Sequence, residues 1–146
     1  FENTALTEIE LPDSLTAIDG SAFEHTPLFN DESNWENGVF YAGEHLLQAD
    51  PDTLSGACVI RDGTRTISDY AFSGCTALTS VTIPDSVESI GYSAFAGCKG
   101  LTEIAMGSGV TAVDNFAFTG CTALEKVSIS DLAVVKSPLI SSIPIR

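Results

Sequence analysis

At 146 residues the chain has the length of one domain, and a hydrophobic content of 44% is ample for a core. Twenty acidic against six basic residues leave a net charge of −14. That charge opposes nucleic-acid binding, which needs cations to neutralise phosphates, and opposes docking on anionic membrane surfaces. No apolar run approaches the ~20 residues of a membrane span. Solubility is the plain reading of the acidity; a face for cations or for a basic partner is the sharper one.

In chain order, the first copy of a repeat begins at Leu6, as LTEIELPDSLTAIDGSAFEHTPL. A divergent stretch over residues 29–54 follows. Two apolar runs there flank Ala42-Gly43-Glu44, which predicts a short hairpin turning at Gly43. Residues 55–77, 78–100 and 101–123 are the regular copies, carrying Ala71-Phe72-x-Gly74-Cys75, Ala94-Phe95-x-Gly97-Cys98 and Ala117-Phe118-x-Gly120-Cys121 at a spacing of 23. Such a period marks a solenoid whose coils bury their apolar sides by stacking. Phe23 and Phe72 are 49 residues apart, two periods plus three, so the divergent coil carries an insertion. A last, irregular coil runs over 124–146, where two prolines and no repeat signature suggest either a cap or a tail that meets another module.

Within one copy, Leu78-x-x-Val81-x-Ile83 reads as a half-buried strand, broken by Pro84-Asp85-Ser86. Val87-x-x-Ile90 reads as a second buried extended piece, and residues 93–97 as one helical turn closed by Gly97. Stacked at about 4.8 Å, six coils span about 25–30 Å. Ser55 in place of the leading Leu, Met106 on the strand and Gly107-Ser108-Gly109 in place of Pro-Asp-Ser are the departures, and they are expected to weaken packing without moving the register.

The residues Leu78-x-x-Val81-x-Ile83-Pro84-x-Ser86-Val87-x-x-Ile90-Gly91-x-x-Ala94-Phe95-x-Gly97-Cys98 resemble the BspA-like type of leucine-rich repeat. The resemblance implies a right-handed leucine-rich-repeat superhelix with short parallel strands, one helical turn per coil and one hairpin insertion, all of 1–146 forming one domain. It also implies a binding scaffold of bacterial cell surfaces, some members adhesins for host matrix proteins and others accompanying cell-wall and carbohydrate modules. Asn3-Thr4-Ala5-Leu6 aligns with Cys75-Thr76-Ala77-Leu78, so the chain opens inside a repeat and reads as a piece of a longer secreted or surface-attached protein.

Cys75, Cys98 and Cys121 share one column, where Thr26 stands in the first copy, and Cys58 falls in the strand column of Val81. Stacked side chains point the same way, which disfavours disulfides between neighbours, and sulfurs in a line do not make a tetrahedral metal site. Buried free thiols are expected. His25 and His45 belong to no metal-ligand spacing, Gly107-x-Gly109 falls on an inter-strand turn rather than a dinucleotide loop, and Asp50-Pro51-Asp52 lacks the ligand pattern of a calcium loop. No constellation supports an enzyme, a cofactor or a metal site.

Two surfaces remain as candidates. The outward columns of the first strand include Glu8 and Glu10 in the first copy, then Ser80, Thr82 and Glu103; parallel ladders of this kind serve repeat proteins as binding faces. The insertion carries Trp35, Phe40 and Tyr41, residue types suited to protein hot spots and to stacking on sugars. The plain alternatives are a merely solvated sheet and aromatics that fill the gap left by a broken repeat. The expected function is non-catalytic recognition of a protein partner, with adhesion to an extracellular-matrix protein as its specific form. A glycan- or cell-wall-binding accessory role and a structural spacer are the alternatives.

Overall fold

The computed structural model describes residues 1–130; the expectation for the end of the terminal coil lies outside the described residues. Among them, ten strands are present: β1 (Trp35–Glu36), β2 (Val39–Ala42), β3 (His45–Ala49), β4 (Gly56–Val59), β5 (Thr66–Ile67), β6 (Leu78–Ile83), β7 (Ser89–Ile90), β8 (Glu103–Met106), β9 (Ala112–Val113) and β10 (Lys126–Ile129). They form two sheets, one of order β10-β8-β6-β4 and one of order β1-β2-β3-β5-β7-β9. From residue 55 onward the coils give one strand to each sheet in turn, all paired in parallel.

The apolar alternation dictates this arrangement. In β6, Val81 and Ile83 are buried and Thr82 is exposed, and the same columns continue as Cys58, Val81, Ile104 and Val127 across the sheet. Ile67, Ile90 and Val113 meet them from the second sheet. The Phe72, Phe95 and Phe118 rings stack through the core, with centroids 4.6 and 5.2 Å apart and planes within 9° of parallel. Gly107 and Gly109 bring the 101–123 coil against the 78–100 coil: a Cβ at Gly109 would lie 1.9 Å from the Asp85 carbonyl oxygen, and one at Gly107 2.5 Å from Pro84. These glycines tighten the stack rather than weaken it.

The corner after the second strand differs from the expected helical turn. In the regular coils it is a run of turns. Ala94, Ala96 and Cys98 donate their amides three residues back, whereas Ser93, Phe95 and Gly97 donate to Asn115, Ala117 and Thr119 of the next coil. Half of the amides are thus committed to the inter-coil ladder, so an i→i−4 helix cannot form there. The first copy has a 3-10 turn at Gly20–Phe23, and a single helical turn, Pro27–Asn30, follows it.

The hairpin at Gly43 is present, with Ala42 opposite His45. A second one, turning at Asn37-Gly38 with positive φ at both residues, joins β1 to β2. The Asn-Gly pair between apolar runs is the sequence signal for it. These hairpins change the fate of the first copy. β2 lies antiparallel to β3 and takes the sheet edge that Ala17 and Ile18 would need. In the other sheet the divergent coil adds no strand beside β4, so residues 6–11 have no neighbour to pair with. Residues 5–19 form no strand, and the placement of Glu8 and Glu10 on the strand ladder is corrected. Leu6, Ile9, Leu11 and Ile18 instead pack with Phe23, Phe40, Ala42 and Leu47 in a second apolar cluster, apart from the main core. Alternation along β2 explains the division: Val39 and Tyr41 face the main core, Phe40 and Ala42 the second one.

Arg61 and Arg65 tie the layers together. Arg61 pairs with Glu36 at 3.0 Å, donates to the Gly43 carbonyl at 2.6 Å and lies 4.2 Å over the Tyr41 ring. Arg65 pairs with Glu88 at 3.3 Å and Glu44 at 3.6 Å, and donates to the Asp13 carbonyl.

Candidate functional site

The ladder of β4, β6, β8 and β10 is a regular outward surface. Its columns are in register: Ala57, Ser80, Glu103 and Lys126 in one, Val59, Thr82, Ala105 and Ser128 in the next. Ser80, Thr82 and Glu103 therefore stand together as the sequence suggests. Lys126 pairs with Glu103 at 2.9 Å across the ladder, a surface contact worth about 0–1 kcal/mol. Val59 is the apolar exception at 75% exposure. It sits on β4, the sheet edge beside which the divergent coil supplies no strand. A depression of about 560 Å³ lies at that edge, lined by Glu36, Tyr41, Thr53, Ala57, Val59 and Arg61 among others.

The insertion aromatics are placed differently from one another. Phe40 is fully buried and packs against Phe29, Trp35 and Phe23 at centroid distances of 5.3, 5.5 and 6.4 Å. From there it cannot touch a partner, which corrects its inclusion among surface contacts. Trp35 is half-buried, and its indole N–H donates to the Phe29 carbonyl at 2.7 Å. Tyr41 is half-buried; its hydroxyl accepts from the Arg61 amide at 3.2 Å, and burial holds its phenol above the ordinary value. These rings mainly join the two cores.

All four cysteines are buried and free. The Cys98 thiol donates to the Phe72 carbonyl and the Cys121 thiol to the Phe95 carbonyl, each at 3.1 Å. Burial pushes Cys58 up to about 11 and Cys75 up to about 12; the Cys121 thiol beside it, then burial, raises Cys98 as well. Cys58, Cys75 and Cys98 are poor nucleophiles by this environment, whereas the Cys98 thiol beside it lowers Cys121. Thr26, in the same column, donates to the Phe23 carbonyl at 2.6 Å and accepts from the Phe29 amide at 3.1 Å, capping the following turn. His45 is buried, with Nδ1 2.7 Å from the Thr66 hydroxyl. Burial first, then the Arg65 charge, lower its pKa. Ligand atoms of Glu2, Glu24 and His25 lie within 4.8 Å of one another on the exposed N-terminal corner, a grouping that no sequence spacing announces. Among the described residues, no helix is long and apolar enough to cross a membrane.

Two features escape the sequence reading. Tyr70, Tyr92 and Phe116 form an edge-to-face aromatic row across three coils, with centroids 5.5 and 5.7 Å apart. Beside it lies a groove of about 580 Å³ between residues 16–19 and the outward side of β5, β7 and β9. The row mixes two repeat columns, so no single column of the alignment displays it. The groove depends on the displacement of the first copy.

A two-sheet stack of parallel coils with an open ladder defines a repeat scaffold that works through its surfaces. The chain belongs to the family described as BspA type leucine rich repeat region, whose pattern matches residues 1–47 and 55–143 in six copies. Among solved structures, it is similar to the crystal structure of a T. pallidum leucine rich repeat protein, at 29% identity over 57% of this chain and 40% of that one, with a TM-score of 0.52. A leucine rich cell surface protein from Faecalibacterium prausnitzii A2-165 matches at 26% identity over 98% of this chain and 52% of that one, with a TM-score of 0.42. The chain thus spans about half or less of the length of either. No curated protein matches it.

Proposed function

We propose that this chain is a non-catalytic recognition module of a secreted or surface-attached protein, and that it binds a protein partner through the outward ladder of β4, β6, β8 and β10. The observation that carries this reading is the register: small and polar residues, Ala57, Ser80, Thr82, Ala105 and Ser128, repeat in straight columns over four strands. Such a face offers a flat array to another surface without a cleft for chemistry. Family membership supports a protein-binding repeat, and adhesion to an extracellular-matrix protein is its specific form here. Glu103 and Lys126 supply a charged pair toward its β10 edge, and exposed Val59 an apolar contact at the β4 edge.

The test is binding of the chain to a panel of matrix proteins and polysaccharides at physiological salt, alongside a variant with Thr82→Arg and Ser128→Arg. Both sites are exposed, so the fold should survive. A saturable protein hit weakened about tenfold or more in the variant supports the reading, by the usual size of a blocked interface centre. Equal binding by both proteins removes the ladder as the site, and silence across the panel leaves a spacer.

A further inference from the structure

We propose a second recognition site, on the other sheet: the groove between residues 16–19 and the outward side of β5, β7 and β9 binds an extended, basic segment of a polypeptide. Thr66, Ser68 and Ser89 line its floor, and Ile18 its wall. Asp19, Asp69 and Asp114 also line it, with no Lys or Arg among the lining residues. Each carboxylate has one oxygen engaged by a backbone amide, of Ser21, Tyr92 and Asn115 respectively. That fixes the three in place and leaves their charge facing an open groove, which suits lysine or arginine and rejects an acidic chain.

Two independent observations point to a ligand. Ser68 is only 4% exposed, and its hydroxyl has no hydrogen-bond partner among the described residues. A buried hydroxyl left unpaired is rare and costly, and a backbone amide or carbonyl laid along the groove would satisfy it. The second observation is the aromatic row. Tyr70 and Phe116 directly follow or nearly follow the groove residues Asp69 and Asp114. The two residues are 57% and 58% exposed. Both sit at positive φ, 58° and 59°, and the corner imposes the same conformation on Ser93, at 50°. Bulky aromatics are among the worst residues for that conformation, where Asn or Gly fits. Neither the backbone nor the core calls for them, which leaves recognition as their use. A strand lying in the groove would set its cationic side chains on the aspartates and its apolar ones on the aromatic rims. This site stands apart from the ladder face, so failure of either proposal leaves the other intact.

The experiment measures binding of a labelled eight-residue peptide alternating lysine and valine to the full chain, by fluorescence anisotropy up to millimolar concentration. The glutamate-valine peptide and a neutral cello-oligosaccharide are run beside it. Three variants are compared: Asp69→Asn with Asp114→Asn, which keeps both oxygen acceptors; Tyr70→Asn with Phe116→Asn, which suits the positive φ; and Asp52→Asn with Asp62→Asn, an equal charge change on exposed sites outside the groove. Saturable binding of the basic peptide that weakens about tenfold in each groove variant and less than about twofold in the control is expected. An equal loss in the control means diffuse attraction to an acidic protein and overturns the site. So does capture of the sugar in place of the peptide, or no saturable binding of the basic peptide. Circular dichroism of each variant verifies the fold, and the ladder variant Thr82→Arg with Ser128→Arg should bind the peptide unchanged.

Discussion

The first copy and the second regular unit carry nearly the same pattern: Leu6-x-x-Ile9-x-Leu11-Pro12-Asp13-Ser14 against Leu78-x-x-Val81-x-Ile83-Pro84-Asp85-Ser86. One is a six-residue strand with both edges paired, and the other is no strand at all. The difference lies in the neighbours. Short parallel strands hold only where a neighbouring coil offers a strand to pair with. The divergent coil adds none beside β4, so residues 6–11 have no partner in that sheet, and β2 has taken the edge that Ala17 and Ile18 would need in the other. Its apolar residues then turn to the other side of the hairpin and build a core of their own. In a solenoid, the repeat sequence specifies which residues seek burial; stacking decides which partners they find.

The largest expected effects test the regular half of this contrast. Phe95→Ala removes the central ring of the Phe72-Phe95-Phe118 stack and should cost about 3–5 kcal/mol in a urea titration. A cost below about 1 would mean that the stack does not hold the coils. A matched pair sharpens the comparison further. Ile90 and Ile18 occupy the same repeat position, yet Ile90 is fully buried between coils and Ile18 is half-exposed at the rim of the second cluster. Ile90→Ala should cost about 2–5 kcal/mol, and Ile18→Ala less than about 1.5. Equal costs would put the first copy back in the stack.

Much of the architecture was legible because burial in a repeat is written in columns. The period, the Phe and Cys columns, the alternation of β6 and the Gly43 hairpin all come from residues whose local pattern and final environment agree. The first copy misleads because its pattern is intact while its neighbour is not, and the three-residue offset before Phe72 was the only numerical sign of trouble. Phe40 misleads for a related reason: composition marks an aromatic insertion, but only the antiparallel pairing of β2 with β3 shows which core each of Phe40 and Tyr41 faces. Ser80, Thr82 and Glu103 were readable as one surface, since strand register follows from the repeat. Asp19 meets Asp69 and Asp114 only through the displaced copy, and no spacing in the chain encodes that meeting.

Thiol labelling separates the two ends of the stack at finer scale. Cys75, Cys98 and Cys121 lie inside the stack, whereas Cys58 is on β4 at a sheet edge and slightly more exposed, at 7%. Under native conditions Cys58 should be alkylated first, through local opening of β4, with the other three following only global unfolding. Timed quenching with mass spectrometry distinguishes the sites. Simultaneous labelling of all four would show that β4 opens only with the whole solenoid, and that the missing neighbour strand leaves no weak edge.

The smallest effect concerns the seam between the layers, where His45 meets Thr66. Burial and Arg65 lower the His45 pKa from 6.5, so the folded chain holds the ring neutral. In the unfolded chain the ring takes up a proton as pH falls through 6.5, while the folded chain refuses it until a lower pH. The unfolded state then binds more protons, and stability must decline over that interval. It is complete above 6.5 and levels off below the folded value. Asp19 and Asp50 do not confuse the reading: the hydroxyls of Ser21 and Thr53, followed by backbone amides, hold them below 3.8, so their contribution is lost only in a more acidic range. Urea midpoints taken from neutral pH down to about pH 5 should therefore fall gently in the native chain. With His45→Gln, which keeps a partner for Thr66, the midpoint should stay level over the same range. A native chain without the decline would place His45 in water, and with it the seam that joins the hairpin to the first regular coil.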